Sequence, residues 1–377
     1  MTTAVTLLLV ALAAGSLVFS LLAIEAARRY LRTPVPTPAA LVPISILKPL
    51  AGFEAGLEQN LRSFFEQDYP NYEILMAVST EGDAALPVAR RLSETYPGVP
   101  SQVIITGEPP YPNRKVRSVH VMIAEARHDL LVMSDSDIRV QRDFLGSIAA
   151  EFQDQNLALT TCPYRAVAGE SFWSRLEAVM MNTEFLSGIL VARMLEGMRF
   201  AVGPTTVASR KLIEAIGGFE SLKDYLAEDF VLGRRAAELG FGVGLSRAVV
   251  EHHIGSQSFR ANSAHRLRWM RSTRRSRPAG YLGQLFTYPL PLALLLAVWE
   301  PRLWPVLLIA GILRAVNVWQ TAGRILHDPL VRRHPWLVVL QDLFSFVYWK
   351  AGFFGSTIQW RGGRFRLHRD GTFSRIR

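Results

Sequence analysis

Leu130-Leu131-Val132-Met133-Ser134-Asp135-Ser136-Asp137 is the stretch from which the rest of the chain can be read. Four apolar residues in a row fit a strand buried on both faces of a sheet. The strand then ends in two carboxylates one residue apart. In an extended chain residues i and i+2 point the same way, so Asp135 and Asp137 can converge on one point. A hard divalent cation takes oxygen ligands and often carries the phosphates of a nucleotide, and it suits such a pair. A polar turn after a core strand would look the same in isolation, so the flanking sequence has to separate the two readings.

Upstream, Ile44 to Leu47, Tyr72 to Val78 and Val103 to Thr106 read as strands, and Leu57 to Phe65, Ala84 to Tyr96 and Ser118 to Ala126 as helices. This alternation predicts an α/β fold with a mostly parallel sheet and helices on both faces. Ligands of such sheets bind beyond the carboxyl ends of the strands. Asp135 and Asp137 lie at such an end, and so does Thr80-Glu81-Gly82-Asp83 after the second strand. Downstream, Arg139 to Gln153 reads as a helix, Leu157 to Thr161 and Phe200 to Ala208 as strands, and Leu212 to Phe219 as a helix closing on glycine. Tyr225-Leu226-Ala227-Glu228-Asp229 precedes a helix from Phe230 to Leu239. Acidic residues there serve either as caps that compensate the helix dipole or, in Asp229, as a catalytic base whose direction the helix mouth fixes. Val243 to Glu251 reads as a strand ending in His252-His253, with His253 the candidate additional metal ligand.

With 377 residues the chain has room for one large domain and accessory segments. Its formal charge of +10 fits nucleic acid or an anionic membrane surface. The arginines cluster beside apolar stretches, which favours the membrane and sets nucleic acid aside. A single cysteine, Cys162, excludes an internal disulfide and a multi-cysteine metal site. Val5 to Ala26 is apolar apart from Glu25; no Lys or Arg precedes it, and Arg28, Arg29 and Arg32 follow. Residues 1–32 therefore read as a transmembrane anchor with its N-terminus outside, against the alternative of a signal cleaved near Ala13-Ala14-Gly15. After the proline-rich stretch from Thr33 to Pro43, residues 33–258 form the expected cytoplasmic α/β domain. Within it, the methionine-rich Phe172 to Leu195 is either a core helix or a surface facing lipid or acceptor. Residues 259–282 carry Arg260, His265, Arg266, Arg268, Trp269, Arg271, Arg274, Arg275 and Arg277, which suits a basic interfacial helix on anionic lipid. In residues 283–377, Leu285 to Trp299 and Leu303 to Val318 read as a hairpin across the bilayer about Glu300-Pro301-Arg302. Leu337 to Phe354 carries Gln341, Asp342 and Lys350 and is followed by Arg361, Arg364, Arg366 and Arg369. A full third crossing would put that basic tail outside, so this segment reads as re-entrant or interfacial. The expected location is the inner (plasma) membrane, multi-pass.

In chain order the polar signals are the acidic turn after the second strand, Asn113-Arg114-Lys115, Asp135-Ser136-Asp137, Glu228-Asp229 and Arg266-Leu267-Arg268-Trp269. This set resembles an inverting GT-A glycosyltransferase, specifically the ceramide glucosyltransferase family with its bacterial hopanoid-biosynthesis relatives. The resemblance runs from about Ile44 onward. Its most specific parts are Phe65-Glu66-Gln67-Asp68-Tyr69-Pro70, Ser134 to Val140, Leu226-Ala227-Glu228-Asp229 and Arg268-Trp269. Two positions depart from the family pattern. Its Q/R-x-x-R-W signature reads His265-Arg266-Leu267-Arg268-Trp269 here, so His265 or Arg266 would serve as the donor. Its first aspartate falls near Thr80, so Glu81 or Asp83 would supply the carboxylate near the uridine.

The resemblance implies a GT-A, Rossmann-like nucleotide-sugar-binding domain joined to transmembrane and interfacial helices. It implies a UDP-sugar donor, a membrane lipid acceptor (ceramide or a hopanoid), and Mn²⁺ or Mg²⁺ on Asp135, Asp137 or both. Asn113 and Glu228 would help line the donor site, Lys115 would approach the diphosphate, and Arg268 and Trp269 would lie under diphosphate and acceptor. Asp229 would take the proton of the acceptor hydroxyl as it attacks the anomeric carbon from the opposite face. Three other classes share parts of the pattern. A polymerising synthase needs more spans, a polyprenyl-phosphate glycosyltransferase needs no general base, and a tethered binding protein would keep the fold without the chemistry.

Overall fold

The computed structural model describes residues 2–37, 41–360 and 363–376. The chain forms two compact units, each discontinuous in sequence: an α/β unit of Pro34–Val167, Met198–Gly255 and Gly371–Arg377, and a helical unit of Met1–Thr33, Ala168–Gly197 and Ser256–Asp370. It opens with α1 (Thr2–Arg32), then runs β1 (Ile44–Pro49), α2 (Leu57–Phe65), β2 (Tyr72–Val78), α3 (Leu86–Thr95), β3 (Ser101–Ile105), α4 (Arg114–Glu125) and β4 (Leu130–Ser134). There follow β5 (Ile138–Arg139), α5 (Phe144–Glu151), β6 (Leu157–Thr161), β7 (Tyr164–Ala168), α6 (Phe172–Met180), a π-helical turn at Met181–Phe185, and α7 (Leu186–Glu196). Next are β8 (Thr205–Ser209), α8 (Arg210–Ala215), α9 (Glu228–Glu238), β9 (Gly242–Leu245) and β10 (Val250–Ile254). The remainder is α10 (Phe259–Ser276), α11 (Pro278–Gly283), α12 (Pro289–Trp299), α13 (Trp304–Val318), a π-helical turn at Trp319–Ile325, α14 (Pro329–Arg333), α15 (Trp336–Gly352), β11 (Thr357–Trp360), β12 (Gly363–Leu367) and β13 (Phe373–Arg375).

The main sheet has the order β3-β2-β1-β4-β8-β6-β9. β3, β2, β1 and β4 are parallel, with Ile46 level with both Ile74 and Val132. The sheet is mostly parallel, as expected: β9 pairs parallel with β6, and β8 runs antiparallel to both of its neighbours, β4 and β6. An antiparallel neighbour needs no crossover helix, and β8 is reached after the chain has left the α/β unit through α6 and α7. Residues on both faces of β1 and β4 are buried, which is why β4 is apolar up to Ser134 and β1 is apolar apart from Ser45 and Lys48. Leu47, Leu75, Met133, Val119, Met122, Leu159, Leu212 and Leu232 share one core. With β1 and β4 adjacent and parallel, the turns after them open at the same end of the sheet.

Several boundaries differ from expectation. The helix predicted from Arg139 begins only at Phe144, because Ile138 and Arg139 pair with His252 and Glu251 in a second, three-stranded sheet, β5-β10-β7. The strand predicted from Val243 to Glu251 is two strands, β9 and β10. The strand predicted from Phe200 to Ala208 is Thr205–Ser209 in the sheet: it starts later, since Pro204 has no N–H for a ladder bond, and runs one residue further. α8 ends as its sequence implies: Gly217 and Gly218 take φ of 83° and 82°, and the Gly218 N–H donates to the Ile213 carbonyl.

In the helical unit, three helices are long and apolar enough to cross a membrane by length and composition: Thr3–Arg32, Phe172–Glu196 and Pro301–Ile325. Pro278–Thr287 and Pro289–Trp299 make a fourth only as a pair bent by 61°. The predicted span from Leu285 is therefore broken at Pro289, and the basic stretch 259–282 is not one helix but stops before Pro278. In Phe172–Glu196, 72% of the most apolar stretch is buried, so most of this helix is covered by protein. The polar residues of α15 are likewise used internally: Asp342 takes two bonds from Arg314, and Gln341 accepts from Arg266. Arg361 of the basic tail, and residues 38–40 of the proline-rich stretch, lie outside the described residues.

Candidate active site

The turn after β4 is fixed at each peptide. The Asp135 N–H donates to the Pro204 carbonyl (3.0 Å), and the Ile138 N–H donates to the Asp135 carbonyl (3.3 Å). Ser136 Oγ donates to Glu54 Oε2 (2.8 Å), and Asn60 Nδ2 to the Ser136 carbonyl (3.4 Å). The carboxylates of Asp135 and Asp137 stay partly open, with 34% and 31% of each side chain exposed. His252 Nε2 lies 3.0 Å from Asp137 Oδ2. Burial works to raise the Asp137 carboxyl, but His252 and Lys48 outweigh it and hold the group below its ordinary value.

α4 brings Lys115 to this turn. Its Nζ lies 2.8 Å from Asp135 Oδ1 and 3.1 Å from Glu228 Oε1, and it donates to the Gly203 carbonyl (3.4 Å). Burial disfavours the ammonium, yet Asp135 and Glu228 more than offset that, so Lys115 stays a firmly held cation. α9 brings Glu228 and Asp229. Its approach depends on Gly233, where a Cβ would meet the Ala201 nitrogen at 2.2 Å and the Phe200 carbonyl carbon at 2.3 Å. The helix thus rests directly on the backbone before β8. One turn earlier, Asp229 Oδ2 comes to 2.9 Å from the Cβ position of Gly203, leaving no room there for a side chain. Burial and then the neighbouring Glu228 push the Asp229 carboxyl up to about 7, with Lys115 opposing.

Among the described residues, no three His, Cys, Asp or Glu side chains are close enough to enclose a metal ion by themselves. Asp137 Oδ1, however, is buried with no hydrogen-bond partner. An unused carboxylate oxygen beside Asp135 and His252 fits a divalent cation that completes its shell with phosphate and water oxygens.

A profile of glycosyl transferase family 21 matches residues 8–373. The chain belongs to glycosyl transferase family 21. Ceramide glucosyltransferase 1 of Caenorhabditis elegans is 28% identical to this family-21 chain over 205 residues, 54% of the chain and 44% of the worm protein. Ceramide glucosyltransferase 3 of the same organism is 26% identical over 342 residues, 87% of the chain and 73% of that protein. The chain thus matches less than half the length of the first relative and about three quarters of the second. A mannosyltransferase from Pyrobaculum calidifontis, solved with GDP-Man and Mn²⁺, superposes with a TM-score of 0.53 at 19% identity, over 92% of this chain and 99% of that one. The fold is therefore the α/β, GT-A type that the sequence resemblance implied.

The remaining expected site residues of the family-21 chain belong partly to the α/β unit and partly to the helical unit. Asp83 Oδ1 accepts from the N–H groups of Gly52 and Ala85 (2.9 Å each), tying the loop after β1 to the start of α3, while Glu81 is exposed in the same turn. Asn113 is engaged inside the α/β unit. It is fully buried, its Oδ1 accepting from the Val116 N–H and its Nδ2 donating to the Tyr225 carbonyl (2.8 Å) and to Glu228 Oε2 (3.3 Å). It is a strut that sets α4 against the start of α9. The His253 side chain faces away from Asp137. Adjacent strand residues face opposite sides, and His253 Nε2 turns to Glu251 Oε2 (2.8 Å), so the histidine beside Asp137 is His252.

His265, Arg266, Arg268 and Trp269 all lie on α10 of the helical unit. Arg266 is 2% exposed, donates to Gln341 Oε1 (2.9 Å) and Ser345 Oγ (2.8 Å), and lies over the Tyr348 ring, so its guanidinium is engaged within the helical unit. His265 Nδ1 pairs with the buried Glu177, and its ring meets Trp269 edge-on at 5.1 Å. Arg268 is half-buried. Residues to which sequence reasoning gave no site role are Lys48, Glu54 and Gly203. A lysine inside a run as apolar as Ile44 to Leu47 was the available signal for the first.

Proposed function

We propose that this family-21 chain transfers glucose from UDP-glucose to the hydroxyl of a membrane lipid of the ceramide class, with inversion at the anomeric carbon. The observation that carries the reading is the Asp229 carboxyl, pushed up to about 7 beside Lys115 and Asp135. A base matched to neutral pH is what removal of an alcohol proton in the transition state calls for. In the step, the acceptor oxygen bonds the anomeric carbon and Asp229 takes its proton. The bond from that carbon to the diphosphate breaks, and UDP leaves with the electron pair. Lys115 supplies a fixed positive charge in the same cluster, where charge grows on the leaving group. Asp135 and Asp137, beside His252, would hold a divalent metal, Mn²⁺ or Mg²⁺, which when bound offsets negative charge on the diphosphate. The Mn²⁺ in the mannosyltransferase of like fold supports that choice.

The names of the two worm relatives support ceramide as acceptor class, and the three span-length apolar helices support a multi-pass membrane protein. With positive charge clustered around α10, the α/β unit belongs on the cytoplasmic side, against anionic lipid. The test is label transfer from UDP-[¹⁴C]glucose to the lipid extract of membranes supplied with ceramide, with Mn²⁺ and with EDTA. Labelled glycolipid that EDTA abolishes is expected, and Asp229→Asn should lose on the order of a hundredfold while still accumulating in the membrane. Full activity of Asp229→Asn would overturn the base and favour a phosphate acceptor of the polyprenyl type. Transfer only from UDP-N-acetylglucosamine to a hopanoid polyol would overturn both sugar and acceptor.

A further inference from the structure

Lys48 is wholly buried, in the middle of the sheet, on a strand whose other residues are equally buried. Charged residues are almost never fully buried unless paired, and among the described residues no carboxylate forms an ion pair with this one. Its Nζ instead donates to the main-chain carbonyl of Asp135 (2.5 Å) and to Ser134 Oγ (3.3 Å), and lies 3.9 Å from the centre of the Phe64 ring. Ser134 Oγ is in turn 3.1 Å from Thr205 Oγ1 on β8. Burial brings the ammonium down to about 7, with Asp135, Asp137 and Glu54 holding it up.

Packing alone gives no reason for a lysine here. An apolar side chain of similar length would fill the space, and replacing a buried charge by such a residue is often neutral or stabilising. What an apolar residue cannot do is hold the Asp135 carbonyl. That carbonyl already accepts from the Ile138 N–H, and the Asp135 N–H is spent on Pro204. The lysine adds the third bond, from beneath the turn, and so fixes the peptide plane after Asp135, while the bond to Pro204 holds the plane before it. Those planes set the direction in which the Asp135 side chain leaves the backbone, and hence whether it converges with Asp137.

We propose that Lys48 is a positioning residue for the Asp135–Asp137 turn. From inside the sheet it holds the two carboxylates in the arrangement that takes up a divalent cation with the donor's diphosphate. This rests on the reaction proposed above, and it assigns to β1 a part in metal and nucleotide binding without contact to either.

The test uses the full chain, purified in detergent, with Lys48→Met and Lys48→Gln. Binding of Mn²⁺ in the presence of UDP is read by electron paramagnetic resonance, alongside the thermal midpoint and separate KM values for donor and acceptor. Loss of a residue that orients a metal ligand typically weakens metal affinity about 10–100-fold. That loss is expected in both variants, with a raised donor KM, an acceptor KM within about twofold of the parent, and a thermal midpoint that does not fall. Mn²⁺ affinity within about twofold of the parent would overturn the assignment. So would a lowered thermal midpoint with donor and acceptor KM rising together, or failure of both variants to accumulate, since either makes Lys48 structural. A parent chain that binds neither Mn²⁺ nor UDP would overturn the proposed reaction itself, and this inference with it.

Discussion

Glu228 and Lys115 act on Asp229 in opposite senses, so the proposed base can be tested by the direction in which a pH profile moves. The acid limb of kcat/KM reports the essential base of the free enzyme. With Asp229 at about 7, activity should fall as pH drops through that value, because the protonated carboxyl cannot accept the acceptor's proton. Glu228→Gln removes a like charge, lowers the Asp229 carboxyl and moves the limb to lower pH. Lys115→Met removes an ammonium 2.8 Å from Asp135 Oδ1 and 3.1 Å from Glu228 Oε1. Both carboxylates then act on Asp229 uncompensated, and the limb moves to higher pH. A charge within reach shifts a carboxyl by about one to three pH units, and partial solvent access at this site argues for the lower end, about one in each direction. Donor binding also weakens in Lys115→Met, so the position of the limb is the readout and its height is not. Stability gives a second check with its own sign. The folded state holds the Asp229 proton more tightly than the unfolded chain does, so this group's contribution falls as pH rises from about 4 to about 7 and is flat above. Asp229→Asn should remove that slope. Two variants that move the limb the same way, or a parent limb that survives Asp229→Asn, would refute the reasoning.

Two further predictions concern the scaffold. Gly233→Ala puts a methyl 2.2 Å from the Ala201 nitrogen, where backbone cannot yield. It should cost about 3 kcal/mol or more and lower the thermal midpoint and activity together, while Gly188→Ala, with open space around its Cβ, should do neither; equal behaviour of the two would remove Gly233 as the reason α9 reaches Gly203. Arg314 and Asp342 are 6% and 0% exposed and joined by two bonds of 2.7 and 2.8 Å, so either single change to alanine should cost about 3–5 kcal/mol by stranding the other charge, and Arg314→Met with Asp342→Leu should recover most of it. Membrane accumulation and thermal midpoint in detergent measure both, and undamaged single variants would make the pair dispensable.

How much was legible depends on whether a residue's environment is set locally. β1, β2 and β4 could be read because burial on both faces leaves mainly apolar runs, and the carboxylates after β4 could be read because a strand's own geometry points them together. The direction of β8 could not, since it depends on the chain's path through α6 and α7 rather than on Thr205–Ser209. His252 and His253 are chemically alike, and only the pairing of Ile138 with His252 decides which of them meets Asp137. The same limit explains Asn113 and Arg266. An amide or a guanidinium suits a nucleotide and an internal strut equally well, and the difference lies in partners far along the chain, Tyr225 and Glu228 for one and Gln341 and Ser345 for the other. Lys48 inverts the case. Its type argues for solvent and its neighbours in sequence argue for the core, and the conflict is resolved by a carbonyl 87 positions away. A local rule broken at one residue of an otherwise consistent strand is where a functional constraint is expected to override packing, so the charge inside β1 is evidence about the turn at Asp135 that no reading of that turn alone supplies.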